Sequence, residues 1–436
     1  MAQFRKDRHE YLPDGKTIFE VVMLSDQYGN LVGPANPSGV AVDAFGRARM
    51  STPLTLFDSS HRYHDNGLWS TSNTAGATYA HSVNSGMVAL NLPTTADAEI
   101  IRETNKVFSY QPGKSLQTMN TFVMNAAKPN LRQRVGYFGA QNGIYLELDG
   151  TTLNFVQRSF VGGVMSESRV SQANWNVDTL LGDVDSSPSQ IALDISKAQI
   201  LFIDIEWLGL GTVRCGFVID GKLIHCHSFH HANRIASTYM TTASLPLRYE
   251  IKNTGTTGSV STLQQVCSTV ISEGGYELRG LQQAIGTPIT AAKTLATGGT
   301  YYPVASIRLK ATALDAIVIL TAVSLLGVGN GINFSWRVTV GATVTTASWV
   351  DAGANSAVEY TLLGTAVSGG RILASGYFNS SNQGSPSVDI LKEALFKFQL
   401  ERNGLTGTPS ALTLEVAAGT DTNSVFGSLD WEEVTR

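Results

Sequence analysis

Ile144-Tyr-Leu-Glu-Leu-Asp-Gly-Thr-Thr152 is the stretch whose reading decides the fold. Ile144, Leu146 and Leu148 alternate with Tyr145, Glu147 and Asp149, the period of two that sends successive side chains to opposite faces of a strand. Asp149-Gly150 is the strongest short-range hairpin signal, and a second strand follows from Thr152 to Phe160. The same grammar returns at Val213-Arg-Cys-Gly-Phe-Val-Ile219, which turns at Asp220-Gly221 into Leu223 to Phe229. Between the hairpins, Leu201, Ile203, Ile205 and Trp207 share one side of a strand, and Phe202, Asp204 and Glu206 share the other.

Composition extends this reading to the whole chain. Of 436 residues only 15% are charged, against a usual figure near 25%. Ser and Thr together number 82 and Gly 42, a mixture that suits strands and tight turns better than surface helices. A helical bundle or coiled coil is excluded. With 43% hydrophobic residues and only 13 prolines the chain can build a core and is not a disordered, Pro-rich one. A net charge of −4 gives no footprint for nucleic acid or an anionic membrane. The start carries charges of both signs and no apolar leader, and the apolar run from Ala311 to Val328 is broken by Asp315, so no membrane span is expected. Cys215, Cys226 and Cys267 are too few, and odd in number, for a disulfide scaffold.

Three parts are expected. Residues 1–63 read as an extended N-terminal docking arm: a charge cluster at Arg5 to Glu10, one short strand from Ile18 to Leu24, and turn chemistry at Gly33-Pro-Ala-Asn-Pro-Ser-Gly39. Phe45, Arg47, Arg49 and Phe57 are its candidate docking contacts. Residues 64–290 read as a jelly-roll or lectin-like β-sandwich, with short helices at Ala96 to Thr104 and Ser166 to Asn174. Residues 291–436 read as a second, C-terminal β-sandwich with one helix from Asp389 to Phe398. The fold class is all-β.

Few residues point to chemistry. His225 and His227 sit two apart on a strand, so their imidazoles could share a face and hold zinc or copper, given a third ligand from His230 or His231. No spacing matches a closed zinc site, and the blander reading is aromatic packing at a sheet face; neither metal nor cofactor is expected. His61 and His64 offer a still weaker pair. Asp204 and Glu206, with Trp207, Tyr145 and Trp175 as stacking platforms, make a possible glycan-binding face. Lys128, Arg132 and Arg134 read as solvated surface. There is no P-loop, dinucleotide fingerprint, HExxH or GxSxG.

Two resemblances follow from quoted residues. Phe202-Ile-Asp-Ile-Glu206 resembles the E-x-D-x-E strand of laminarinase-type glycoside hydrolases, whose first Glu is the nucleophile and last the acid/base. Here Phe202 stands at the nucleophile position and cannot attack, so no enzyme is expected. Asp43-Ala-Phe-Gly-Arg-Ala-Arg-Met-Ser-Thr-Pro-Leu-Thr-Leu-Phe-Asp-Ser-Ser-His-Arg-Tyr63 and the text through Arg134-Val-Gly-Tyr-Phe138, Asn142 to Thr151, Gln172-Ala-Asn-Trp-Asn176 and Lys197 to Trp207 resemble virion structural proteins of tailed bacteriophages, especially cyanophage and other marine-phage types. The resemblance spans roughly 43 to 280. It implies a non-enzymatic virion component forming a symmetric homo-oligomer, expected to be a trimer, on the tail, neck or baseplate or on the capsid surface. Its partners would be copies of itself and other virion proteins. A module binding host-surface glycan is the alternative, and a depolymerase a remote one.

Overall fold

The computed structural model describes residues 52–380 and 397–435, together with the backbone of short strands at 9–11, 18–20, 24–25, 31–32 and 387–389. The chain divides into two units, residues 1–52 and 53–436. The first contains two small hairpins, His9–Tyr11 with Ile18–Glu20 and Leu24–Ser25 with Leu31–Val32. Phe45, Arg47 and Arg49 lie outside the described residues.

Residues 54–60, expected in the arm, form a strand that pairs with Ser261–Ser272, and Phe57 is 8% exposed. Its ring lies 5.0 Å from Phe108 and edge-on to Trp69 at 6.1 Å, so it is a core residue and not an arm contact. From Phe57 onward burial alternates, with Phe57 and Ser59 buried while Asp58 and Ser60 face out, and a bulge at Leu56 buries that neighbour as well.

Two antiparallel sheets make the first sandwich. One runs Lys222–Phe229, Val213–Ile219, Gln199–Ile205, Leu116–Val123, Ser261–Ser272, Met87–Leu92, Thr78–Ser82, with Leu54–Ser60 added on Ser261–Ser272. The other runs Ser166–Ser171, Thr152–Ser159, Gly143–Asp149, Leu131–Phe138, Leu247–Asn253, Glu99–Thr104, Trp69–Thr74. Val88, Phe122, Tyr137, Leu146, Phe155, Ile203 and Phe217 fill the space between them, all at 0% exposure. Each such side chain contributes on the order of 1.5–3 kcal/mol by leaving water.

Both hairpins form. Asp220 and Gly221 each take positive φ, 51° and 74°, as a type I′ turn demands. The first turn falls one residue later than expected. Asp149 pairs with Thr152, leaving Gly150 and Thr151 as the loop with Gly150 at φ 60°. Both expected helices of this region are strands, Glu99–Thr104 and Ser166–Ser171, because sheet neighbours overrode a weak local preference. Among the described residues helix is confined to 3-10 turns at Gln172–Asn174 and 397–398; 390–396 of the expected last helix lie outside them.

The C-terminal sandwich opens at Leu281–Gly286, earlier than expected, since that strand pairs with Asn423–Thr435. Its larger sheet runs Val350–Asp351, Val358–Thr361, Tyr302–Leu309, Leu412–Ala418, Ile332–Val340, Arg371–Ser380. Ile307, Val318, Val338, Leu414 and Trp431 are among its core.

The two sandwiches are joined by buried contacts. Val107 packs on Ile317 and Ile319. Gln399 Nε2 donates to the carbonyl of Val107 at 2.8 Å, and the backbone N–H of Arg402 donates to that of Asn105 at 2.9 Å. Glu103, 3% exposed, receives Arg402 at 2.7 Å and Arg248 at 3.2 Å.

Candidate functional site

The strand Gln199–Ile205 ends one residue before Glu206, and that ending splits the expected carboxylate pair. Asp204 is 5% exposed and lies directly across from Arg214, whose guanidinium pairs with it. Burial pushes the Asp204 carboxyl above its ordinary range, a push that Arg214 only partly offsets. Glu206 is exposed and starts the turn 206–211, where its backbone N–H donates to Thr212 at 3.1 Å. Phe202 lies against Gly216, where a Cβ would sit 2.7 Å from the ring and 2.0 Å from the carbonyl of Ile224. The phenyl ring thus fills the first position of the E-x-D-x-E pattern, beside a buried, ion-paired acid.

Trp207 turns away from that face. It is half-buried, packs on the first core, and meets Tyr110 edge-on at 5.9 Å and 78°. The pair stands in a cleft of about 750 Å³ between the two sandwiches. Lys114, Thr242 and Arg279 come from the first sandwich and the connecting segment, Asp315 from the second. Arg279 pairs with Glu277 at 2.6 Å and Lys114 donates to Gln111 at 3.0 Å. This is a groove of mixed lining with balanced charges and one aromatic wall.

Tyr145 and Trp175 are not stacking platforms. Tyr145 is fully buried and its hydroxyl donates to Glu167 at 2.7 Å. Trp175 is 4% exposed, lies 4.5 Å from Phe155, and donates to the carbonyl of Val170. The anticipated glycan face therefore reduces to Trp207 and its cleft.

The histidines are separated by a bulge. Gly216 pairs with His225 and Cys215 with His227, so Cys226 is the extra residue and strict alternation is lost. His227 stacks on Phe155 at 6.4 Å and meets Phe229 edge-on at 4.6 Å, while His225 bonds the hydroxyl of Ser228 at 2.9 Å. Among the described residues no group of three or more His, Cys, Asp or Glu is placed to hold a metal ion. His61, from the weaker pair, is 1% exposed beside Arg102 and Asp65.

Burial lowers the pKa of His61 and of His227 from 6.5 to about 4. The unfolded chain therefore binds more protons between pH 6.5 and 4, and stability falls as the pH drops through that window. His227→Phe keeps an aromatic ring beside Phe155 and removes one of the two groups. Urea midpoints measured at pH 7 and pH 4.5 should differ less in this variant than in the parent.

One constellation escaped the sequence. Arg134 is 4% exposed, not solvated; it donates to Glu147 at 2.7 Å and pairs with Glu250 at 3.2 Å. Arg169 reaches Glu147 at 2.6 Å, and Arg158 reaches Glu167 at 2.7 Å. Burial pushes Glu167 up, but hydrogen bonds from Tyr145 and Arg158 and the charges of Arg134 and Arg158 outweigh it and hold the carboxyl at about 2. The signal was present in the register: Arg134 lies directly across from both Glu147 and Glu250. All these charges are partnered, so the lattice ties five strands together and leaves no free acid or base.

No protein-family model and no curated protein matches the chain. Among solved structures it is similar to a Bacillus licheniformis β-glucanase, at 12% identity over 51% of this chain and 99% of that one, with a TM-score of 0.32. It is also similar to arcelin-5, a lectin-like defence protein from Phaseolus vulgaris, at 10% identity over 51% and 99%, TM-score 0.31. The carbohydrate recognition domain of Emp47p is similar at 11% identity over 53% and 99%, TM-score 0.32. Likeness at this level bears no weight on function; the all-β sandwich rests on the strand order described above.

Proposed function

We propose that this chain is a non-enzymatic structural component of a tailed-phage virion, assembled as a symmetric oligomer that presents its double sandwich. The observation that carries the reading is the division of labour within the chain. Residues 53–436 form one body, fused through Glu103 and Arg402 at a buried junction, while residues 1–52 form a separate unit. The phage-like text from Asp43 to Tyr63 runs across the boundary between the two. A body of this kind works through area and rigidity, and scarce surface charge suits a surface covered by neighbours. Locating the chain in a map of the purified particle tests the reading; its absence from particles would end it.

A second reading has its own observation. The Trp207–Tyr110 pair in the inter-sandwich cleft offers an aromatic wall with balanced polar neighbours, chemistry suited to a neutral sugar. Binding to immobilised neutral hexose oligosaccharides should weaken at least tenfold, about 1.4 kcal/mol, in Trp207→Ala. It should stay within twofold in Glu206→Gln, because Glu206 belongs to the turn and not to the cleft wall. No binding by the parent chain removes this second function and leaves the structural one.

A further inference from the structure

We infer that the edge strand Arg371–Ser380 is a self-pairing surface, and that its partner is the same strand of a second copy, running antiparallel about a two-fold axis at Tyr377. The inference rests on the oligomeric part of the reading above and names the surface that would serve it.

An edge strand presents a row of unpaired backbone groups, and proteins ordinarily shield such edges with charge, proline, bulges or brevity. Among the described residues several other edges follow that rule, and the uncharged edges Trp69–Thr74, Thr78–Ser82 and Leu281–Gly286 are shorter, at five or six residues. Val350–Asp351 has two residues; Ser166–Ser171 carries Glu167 and Arg169; Lys222–Phe229 begins with a lysine and contains a bulge. Arg371–Ser380, with 10 residues, is the longest edge strand among the described residues, where it pairs only with Ile332–Val340. Its one charge, Arg371, is held by Glu401 at 2.6 Å, and its one irregularity falls at Leu373. The remainder, Ala374-Ser-Gly-Tyr-Phe-Asn-Ser380, is regular, uncharged and free of proline.

That remainder is complementary to itself. Centring the axis on Tyr377 sets Tyr377 against its own copy, Gly376 against Phe378, Ser375 against Asn379 and Ala374 against Ser380. No like charges meet, a large side chain faces an absent one, and the central pair is aromatic on aromatic, a favourable cross-strand combination. Tyr377 is 86% exposed, the most exposed of the large hydrophobic side chains described. Gly376 is fixed from the other side, since a Cβ there would sit 2.8 Å from the indole nitrogen of Trp336. Pairing of this kind is isologous and closes as a dimer. A three-fold arrangement would require a different surface.

Sedimentation velocity of the full chain at micromolar to 100 µM concentration tests this, with Tyr377→Lys and Tyr377→Cys as variants. The parent should dimerise, and Tyr377→Lys should raise the dissociation constant at least tenfold by setting two lysines opposite each other. Tyr377→Cys should yield a covalent dimer under mild oxidation, whereas Val260→Cys, at an exposed site on the first sandwich, should not. An oligomer indifferent to Tyr377→Lys would overturn the edge assignment while leaving the oligomeric reading in place. A parent chain that stays monomeric throughout would overturn both.

Discussion

Glu147→Ala lowers the free energy of unfolding by about 3–5 kcal/mol, the cost of leaving a buried charge without its partner. Glu147 is fully buried and serves two arginines: Arg134, itself 4% exposed, and Arg169. Removing the carboxylate leaves the buried Arg134 guanidinium with only the longer contacts to Glu250 at 3.2 Å and Glu167 at 3.6 Å. Arg169→Ala makes the contrast. That side chain is 38% exposed, and without it Glu147 keeps Arg134 and Glu167 keeps Arg158, so its loss should cost about 1 kcal/mol or less. Urea unfolding followed by tryptophan fluorescence measures both. Equal small effects would mean that the lattice contributes register but little stability.

Glu103→Ala acts at the other critical carboxylate. It removes the shared partner of Arg248 and Arg402, both less than a tenth exposed, and should also cost about 3–5 kcal/mol. Here the pattern matters as much as the size. Because Glu103 belongs to the first sandwich and Arg402 to the second, the variant should unfold in two resolved steps where the parent unfolds in one. Differential scanning calorimetry reads this directly. One unshifted transition would show that Val107, Ile317 and Ile319 hold the junction without the ion pair.

Much of the fold was legible because strand periodicity is local. The alternation in Ile144 to Leu148 and in Leu201 to Ile205, and the two Asp-Gly turns, are each contained within ten residues. What was not legible depended on partners far along the chain. Residues 54–60 read as arm until Ser261–Ser272 is placed beside them. Ser166 to Ser171 reads as a short helix until Thr152–Ser159 pairs with it. The candidate site failed for the same reason. Asp204 and Glu206 share a face on paper, but only the position of Arg214 and the end of the strand at Ile205 show that one is locked and the other belongs to a turn. The bulge at Cys226 likewise separates two histidines whose spacing suggested a pair. Trp207 lines a cleft that exists only once both sandwiches are built.

The most direct test of the central claim is a particle map. Under the proposed virion role, purified particles should contain the chain in symmetry-related copies, each showing a two-sandwich body of residues 53–436. Particles that lack the chain by mass spectrometry, and whose map has no density for such a body, would contradict the account.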